Sequence, residues 1–283
     1  MTLRRYYDWL SWFQRVTSWA GSGGGYRSLT VHRGLATDGS AVGAADVVHE
    51  QILAAVGPLT SPRVIDAGCG LGGTIFYLHR RLGGEYHGLT LSETQRARAQ
   101  GEAQRRGVAR ECRFYRRSYD RPMFDLAPGG ADLVIAIESL AHSPDPRITI
   151  ANWAAALHPG GRLVVVDDVP FDTLADSDAD FSGFRAGWQC PAIARREAIV
   201  SSLSDSGLTL EREVDLTPLV RQRSEVWLER LVRINRRARA LLAWTGAGQL
   251  IDSLHGGLML ERLYRRGVMR YRLVLARRRE SSG

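Results

Sequence analysis

The stretch Val64-Ile-Asp-Ala-Gly-Cys-Gly-Leu-Gly-Gly73 decides the fold of this chain. A short apolar run ends in Asp66, glycines follow at alternate positions, and a helical pattern begins at Thr74. A strand that turns directly into a helix needs residues without a Cβ where its backbone approaches a ligand, and the helix N-terminus offers unpaired N–H groups there. The pattern therefore predicts a nucleotide-type site. Several enzyme classes use such a turn, so other residues must identify the ligand.

Apolar runs and amphipathic segments alternate through the rest of the chain. Buried strands separated by helices predict an α/β protein with a Rossmann-like, doubly wound and mostly parallel seven-stranded sheet. We expect strands at 62–67, 85–90, 111–116, 132–137, 161–167, 208–214 and 268–276. We expect helices at 44–56, 73–82, 92–107, 146–157 and 192–206.

Three segments break this alternation. Residues 3–19 predict an aromatic amphipathic helix that ends at a glycine-rich hinge. Residues 168–190 are rich in aspartate and are predicted to be irregular, and residues 218–264 predict two helices inserted between the last two strands. In the first of these helices apolar residues recur at helical spacing, which indicates ordinary packing, a substrate-pocket wall or a subunit contact. They are Val220, Trp227, Leu231, Ile234, Ala238 and Leu241.

These segments lead to a division of the chain. We predict an N-terminal helical arm and cap at 1–57 and a catalytic domain at 58–283. Within the catalytic domain, 168–192 would be a lid and 218–264 a helical insertion. A length of 283 residues suits one sizeable core with such additions.

Composition narrows the class of protein. The chain is 44% hydrophobic and 24% charged, and no apolar run approaches the roughly 20 residues of a membrane span. The N-terminus has no signal-peptide pattern, which predicts a cytoplasmic location. Three cysteines far apart in the sequence suit neither a disulfide framework nor a zinc site, so we predict no metal site.

The net charge of +8 is unevenly distributed, and every basic residue is arginine rather than lysine. From Arg212 to the end there are 16 arginines against seven acidic residues, a net charge of +9. A nucleic acid, an acidic membrane surface or an anionic substrate would each suit this excess, as would a solvated helix face. Nucleic acid is disfavoured because no separate RNA-binding module is present.

Four motifs in register resemble those of the class I S-adenosylmethionine-dependent methyltransferases. The similar branch acts on small molecules and holds tocopherol-type, sarcosine-type, prenyl-diphosphate and cyclopropane-fatty-acid enzymes. The resemblance covers residues 28 to 210 and includes the segment Ser28 to Gly34. The motifs are Val64 to Gly73, Gly88-Leu-Thr-Leu-Ser92 with Gln95, Ile137-Glu-Ser139 with His142, and Leu157-His-Pro-Gly-Gly-Arg-Leu163.

The resemblance implies S-adenosyl-L-methionine as cofactor and S-adenosyl-L-homocysteine as product. It also implies which residues contact each part of the cofactor. Asp66, Gly68 and Gly70 would contact the methionine part, and Thr90, Leu91 and Gln95 would contact the ribose and the adenine edge. Ser118 and Tyr119 would flank the adenine, and Ile137 and Glu138 would lie beside the reactive methyl group. Tyr6 or Tyr7 on the first helix would close over the cofactor.

Methyl transfer mainly requires alignment of donor and acceptor and exclusion of water. A carbon acceptor also requires stabilisation of a carbocation and removal of a proton, which a carboxylate can provide. We therefore predict Glu138 as a catalytic residue, with His142 as a second and His32 as a further candidate.

The aromatic first helix and the inserted helices would cover a large apolar pocket. We therefore expect a lipophilic small-molecule acceptor in specialised metabolism, with carbon methylation of an isoprenoid or prenyl chain, as in terpenoid biosynthesis. Magnesium would enter only with a diphosphate substrate, and we expect a homo-oligomer. The alternatives are O- or N-methylation of an aromatic or amine metabolite, an RNA or DNA methyltransferase, and a non-catalytic scaffold or cyclase.

Overall fold

The computed structural model of the chain describes residues 29–30, 32–36, 43–242 and 248–280. The predicted aromatic helix, with Tyr6 and Tyr7, lies outside these residues. The strands are β1 Arg63–Ala67, β2 Glu85–Thr90, β3 Cys112–Arg116, β4 Ala131–Ile137, β5 Leu157–Pro170, β6 Leu208–Asp215 and β7 Met269–Arg278. The helices are α1 Val47–Val56, α2 Gly73–Leu82, α3 Glu93–Arg105, α4 Pro146–Ala156, α5 Ala179–Trp188, α6 Arg196–Asp205, α7 Glu225–Leu242 and α8 Gly248–Arg265.

The seven strands form one sheet in the order β3-β2-β1-β4-β5-β7-β6. The first five run parallel, and β7 is antiparallel to both of its neighbours. This confirms the predicted seven-stranded, mostly parallel sheet. The strand order reverses between β1 and β4, and ligands of open α/β sheets bind outside the carboxyl ends of the strands at such a point.

Both faces of the sheet are buried. On β4, Leu133, Ile135 and Ile137 pack into one hydrophobic cluster, whereas Val134 and Ala136 pack into the other. Successive side chains of a strand point to opposite faces, so a strand with helices on both sides becomes a continuous apolar run. For this reason β4 was recognisable from its sequence.

The aspartate-rich stretch is more ordered than predicted. Strand β5 continues through Pro170 because β7 pairs with it as far as Met269. Helix α5 then forms where an irregular segment was expected, and the Asp178 side chain caps its N-terminus by accepting from two backbone N–H groups. The prediction that 168–190 is irregular throughout was therefore wrong.

Helix α5 packs directly against α8. A Cβ atom at Gly187 would lie 2.4 Å from the backbone oxygen of Asp252, so only glycine permits this approach. The Trp188 indole N–H donates to the Ser253 backbone oxygen at 3.1 Å. Arg262 of α8 pairs with Asp180 of α5 at 2.9 Å, and Arg266, directly after α8, pairs with the N-cap residue Asp178 at 2.7 Å. Helix α5, in the predicted lid, is therefore held by packing, a hydrogen bond and ion pairs against α8 of the predicted insertion.

The inserted region forms α7 and α8, as predicted. Among the described helices, none combines the length and the apolar character that crossing a membrane requires.

Candidate active site

A cavity of about 860 Å³ lies at the carboxyl ends of β1, β2 and β4. It brings together most of the side chains that the sequence predicted. Those lining it are Asp66, Gly68, Gly70, Thr90, Leu91, Gln95, Tyr119, Ile137, Glu138 and His142. Residues 29, 30 and 32–34 and helices α7 and α8 form much of the remaining wall.

The glycine turn forms the floor of the cavity. Gly68 has a φ of +106°, in the region that side chains disfavour, and a Cβ there would lie 2.8 Å from the Cβ of Ser139. The N–H groups of Gly68 and Cys69 both donate to the Leu89 backbone oxygen, at 3.1 and 2.9 Å. The turn is therefore held against the end of β2.

Asp66 is a buried acid at the next-to-last position of β1. Its Oδ2 atom is buried and has no hydrogen-bond partner among the described residues. Burial raises the pKa of Asp66 to about 7. Because buried polar atoms normally have a partner, this oxygen fits a ligand that brings a donor, and above all an ammonium group. The amino group of a methionine-type ligand meets that requirement.

Thr90 and Gln95 form a second polar pair at the end of β2. The Thr90 hydroxyl donates to Gln95 Oε1 at 2.7 Å, and Ser92 caps α3 by accepting from the Gln95 N–H at 3.2 Å. Both side chains are buried at the wall of the cavity. With its oxygen engaged, the amide of Gln95 presents its N–H groups to a ligand.

Tyr119 and Ser118 do not both line the first cavity. Tyr119 lines the cavity, and its hydroxyl donates to the Ser139 backbone oxygen at 2.7 Å. Ser118 instead lines a neighbouring cavity of about 650 Å³, and its hydroxyl bonds to Asp120. Of the two residues predicted to flank adenine, the structure places only Tyr119 in the first cavity.

Glu138 ends β4 in a strained conformation and is held by Arg33. Its φ is +48°, which is uncommon for a residue with a side chain. Residues with such a backbone conformation cluster at functional sites. Its Oε1 atom accepts from Arg33 Nε at 2.8 Å and from the Tyr271 hydroxyl at 3.1 Å. Oε2 has no such bond with the described residues, so it is the carboxylate oxygen left to the cavity.

Arg33 connects Glu138 to a second acid. Its Nη2 lies 2.6 Å from Asp168 Oδ2, and its Nη1 donates to the Tyr264 hydroxyl at 3.0 Å. Burial alone would raise the pKa of Glu138, but the charge of Arg33 and the influence of His32 outweigh burial and lower it. Glu138 is therefore a charged carboxylate in an otherwise desolvated place.

Sequence reasoning did not identify these partners. Arg33 lies in the segment that resembles the family, and Asp168 lies in the aspartate cluster, but neither was assigned a role. Tyr264 and Tyr271 come from the last helix and last strand. No local pattern links positions more than 100 residues apart, so only the fold could pair them.

His142 lines both cavities, at the junction between them. Its Nδ1 lies 3.8 Å from the Cys190 sulfur. Burial lowers the pKa of His142 to about 4, so the ring is neutral at physiological pH. It is a neutral hydrogen-bonding group beside Glu138.

His32 begins a chain of proton-accepting groups that leads away from the cavity. Its Nε2 lies 3.1 Å from Nε2 of the buried His49, whose Nδ1 lies 3.3 Å from Asp46 Oδ1. Two facing ring nitrogens share one proton, so one ring donates to the other. Burial, then the neighbouring His49, lowers the pKa of His32 to about 4. Because His32 Nδ1 lies 3.1 Å from the Arg33 backbone oxygen, which only accepts, Nε2 is the ring nitrogen of the neutral His32 that can take up a proton.

The apolar part of the wall comes from the inserted helices. Leu231, Ile234 and Ala238 of α7 line the cavity, as do Leu254 and Leu258 of α8. These members of the predicted stripe are therefore a pocket wall. Trp227 and Leu241 of the same stripe remain exposed.

Comparisons with known proteins agree with this geometry. Residues 65–165, from β1 to β5, match the family described as a methyltransferase domain. The chain is 36% identical over 105 residues to a chloroplastic tocopherol O-methyltransferase of Arabidopsis thaliana, which covers 37% of this chain and 29% of that protein. It is 33% identical over 159 residues to an O-methyltransferase of Penicillium expansum, with 54% and 55% covered.

A solved structure extends the likeness to the whole fold. A geranyl diphosphate methyltransferase in complex with GPP and sinefungin superposes with a TM-score of 0.72 at 22% identity, covering 98% of each chain. This likeness concerns the fold. The chain spans between 29% and 55% of the length of the two curated relatives.

Proposed function

We propose that this chain, whose residues 65–165 match the family described as a methyltransferase domain, is a class I S-adenosylmethionine-dependent methyltransferase that methylates a lipophilic small molecule at a carbon of an isoprenoid or prenyl chain. The observation that carries the proposal is a single cavity with an apolar wall on one side and the Glu138 carboxylate on the other. O-methylation is the second candidate, and His32 favours it.

The residues on the sheet side would hold the cofactor. Asp66 would accept from its amino group, Gln95 and Thr90 would bind the ribose and adenine edge, and Tyr119 would lie against the adenine. The bound cofactor supplies an electrophilic methyl group on a sulfonium centre. The contribution of the protein is to align that group with the acceptor and to exclude water.

The α7 and α8 side would hold the acceptor. Leu231, Ile234, Leu254 and Leu258 present aliphatic surface, which binds a prenyl chain through the hydrophobic effect. Arg221 and Arg223 also line the cavity, and Arg223 pairs with Glu261. A lipophilic acceptor with a polar or anionic end suits this wall.

Glu138 is placed for the chemistry of carbon methylation. An acceptor alkene would use its π electrons to form a C–C bond with the methyl group of the cofactor, the thioether would be the leaving group, and a carbocation would remain on the acceptor. The free Oε2 of Glu138 would stabilise that cation and then remove the adjacent proton, which restores the double bond. Arg33 keeps the carboxylate charged and fixes its other oxygen.

The second candidate is O-methylation of a hydroxyl group on a lipophilic acceptor. A hydroxyl must lose its proton as the methyl group arrives, and His32 lies at the cavity wall. Asp46, which is more than one-third exposed, would stabilise the protonated His32 through His49. In this reaction His32 replaces Glu138 as the base.

A labelled-methyl transfer assay tests both candidates. Purified protein is supplied with isotopically labelled S-adenosylmethionine and a panel of prenyl diphosphates, prenylated phenols and lipophilic phenols, with and without magnesium. Label in a prenyl carbon that Glu138→Gln abolishes, and His32→Asn retains, supports carbon methylation. Label on oxygen with the opposite response to these variants selects the second candidate. Cofactor binding without any transfer contradicts both for the acceptors tested.

Self-association and a cytoplasmic location stay predictions. Exchange of the aromatic N-terminal segment between subunits would produce a homo-oligomer. A monomeric mass from light scattering would contradict it.

A further inference from the structure

Helix α7 carries an exposed apolar stripe. Trp227 is 55% exposed, Ile234 is 58% exposed and Leu241 is 74% exposed. Positions seven apart lie on the same side of a helix, so these three form one continuous row. Water is an unfavourable environment for such a row, which indicates a surface that covers it.

A row of arginines follows one border of this stripe. At about 100° per residue, Arg230 and Arg237 project next to the stripe, and Arg233 lies farther around the helix on the same side. The Arg230 guanidinium lies 5.8 Å from the Trp227 ring centroid. All three arginines are exposed, and none of the ion pairs between described residues includes them. By contrast, Arg239 of the same helix pairs with Asp252 at 2.7 Å.

The other border of the stripe is the wall of the active-site cavity. Leu231 and Ala238 line the cavity, and Ile234 is both exposed and part of the lining. Leu254 of α8 also lines the cavity and is 50% exposed. The mouth of the cavity therefore opens beside the stripe.

We propose that α7 lies on an anionic phospholipid surface. Its apolar row would enter the interface between headgroups and acyl chains, and its arginines would pair with lipid phosphates. Arginine stems can lie along apolar surface while their charged ends reach the headgroups. A nucleic acid would use the arginines but has no need of three exposed apolar residues. A second copy of the chain would bring two rows of like charge together.

The docked geometry adds a route for the acceptor. With the stripe in the interface, the cavity mouth faces the acyl region, so a lipophilic molecule could pass into the cavity without crossing water. This delivery rests on the proposed function, whereas the lipid contact itself does not. Vesicle binding is measured without cofactor or acceptor, so its failure is distinct from a failure of methyl transfer.

Vesicle flotation tests the proposal with the full chain. Vesicles contain phosphatidylcholine alone or phosphatidylcholine with phosphatidylglycerol, at low and high salt. The test variant is Arg230→Glu with Arg237→Glu. The matched control is Arg110→Glu with Arg147→Glu, because these residues are also exposed and outside the ion pairs of the described residues. Ile234→Ser tests the apolar row without any change of charge, and circular dichroism checks that each variant is folded.

We expect binding to the anionic vesicles only, with release at high salt. The test variant should weaken binding at least about tenfold, since each basic residue near an anionic surface contributes severalfold. Ile234→Ser should also weaken it, and the control should bind as the unmodified chain does. Absence of vesicle binding, or equal loss in the control, overturns the proposal. A dimer that Ile234→Ser dissociates, or binding of duplex RNA in place of vesicles, assigns the surface to another partner and also overturns it.

Discussion

Arg33 Nε lies 2.8 Å from Glu138 Oε1, although 105 positions separate the two residues in the chain. The same guanidinium binds Asp168, so one cation neutralises two acids at the end of the sheet. Without it, two desolvated carboxylates would face each other beside the cavity. Arg33 is thus an electrostatic part of the candidate active site.

Replacing Arg33 with glutamine should impair both stability and activity. Burial would then act on Glu138 with only the influence of His32 against it, and the pKa of Glu138 would rise. We expect the acidic limb of the pH–rate profile to move to higher pH. The free energy of unfolding should fall by about 3 to 5 kcal/mol, because removing one member of a buried ion pair leaves unpaired charge.

The control for this prediction is Arg196→Gln, which breaks the surface pair between Arg196 and Glu213 at 2.8 Å. An exposed pair contributes about 1 kcal/mol or less, and the pH–rate profile should not move. Equal effects of the two variants would contradict a special role for Arg33. Denaturant titration and initial rates over a range of pH measure both quantities.

Asp66 should make cofactor binding depend on pH. Burial raises its pKa to about 7, and only the carboxylate form attracts an ammonium group. Binding should therefore weaken as the pH falls below about 7, approaching about tenfold per pH unit. Asp66→Asn should bind more weakly at neutral pH and lose this dependence. Calorimetric titrations with S-adenosylmethionine on both sides of neutrality provide the test, and an unchanged slope in the variant would exclude Asp66 as its source.

His142 should make the folded state sensitive to acid. Its pKa falls from 6.5 in the unfolded chain to about 4 in the folded one, so the unfolded chain binds more protons between these values. The contribution of the neutral His142 to the free energy of unfolding is fully present above about pH 6.5. It is lost as the pH falls towards 4, up to a limit of about 3 kcal/mol. His142→Asn should show a shallower loss of stability over this window in denaturant titrations. A parallel pH dependence in both proteins would contradict the neutral, buried state.

Gly187 should be intolerant of a side chain. A Cβ atom would lie 2.4 Å from the Asp252 backbone oxygen, so Gly187→Ala forces α5 away from α8. We expect a loss of about 1 to 3 kcal/mol in stability. The matched control is Gly101→Ala within α3, where a Cβ would meet nothing within 4 Å. That change should stabilise the protein by about 0.5 to 1 kcal/mol, since alanine favours helix. Thermal unfolding separates the two, and a destabilised control would show that crowding is not the cause.

Local sequence features account for the sheet and the candidate cofactor side of the cavity. The strands are continuous apolar runs, and the glycine turn, Thr90 and Gln95 stand within a few residues of strand ends. The geometry of parallel strands then brings these ends to one edge. The positions of residues at strand ends can therefore be predicted from the adjacent sequence. Ser118 shows the limit, because it lines only the neighbouring cavity, whereas Tyr119, the next residue, lines both cavities.

The sequence by itself determined the alternation of strands and helices, the glycine turn and the position of Glu138 at the end of β4. These follow from side-chain periodicity and backbone sterics, which act between near neighbours. Only the tertiary structure decided that Arg33 neutralises Glu138 and Asp168, that α5 packs against α8, and that Arg230, Arg233 and Arg237 of α7 have no acidic partner among the described residues, whereas Arg239 does. These depend on burial and on charges brought together from distant positions, and neither is present in a local pattern.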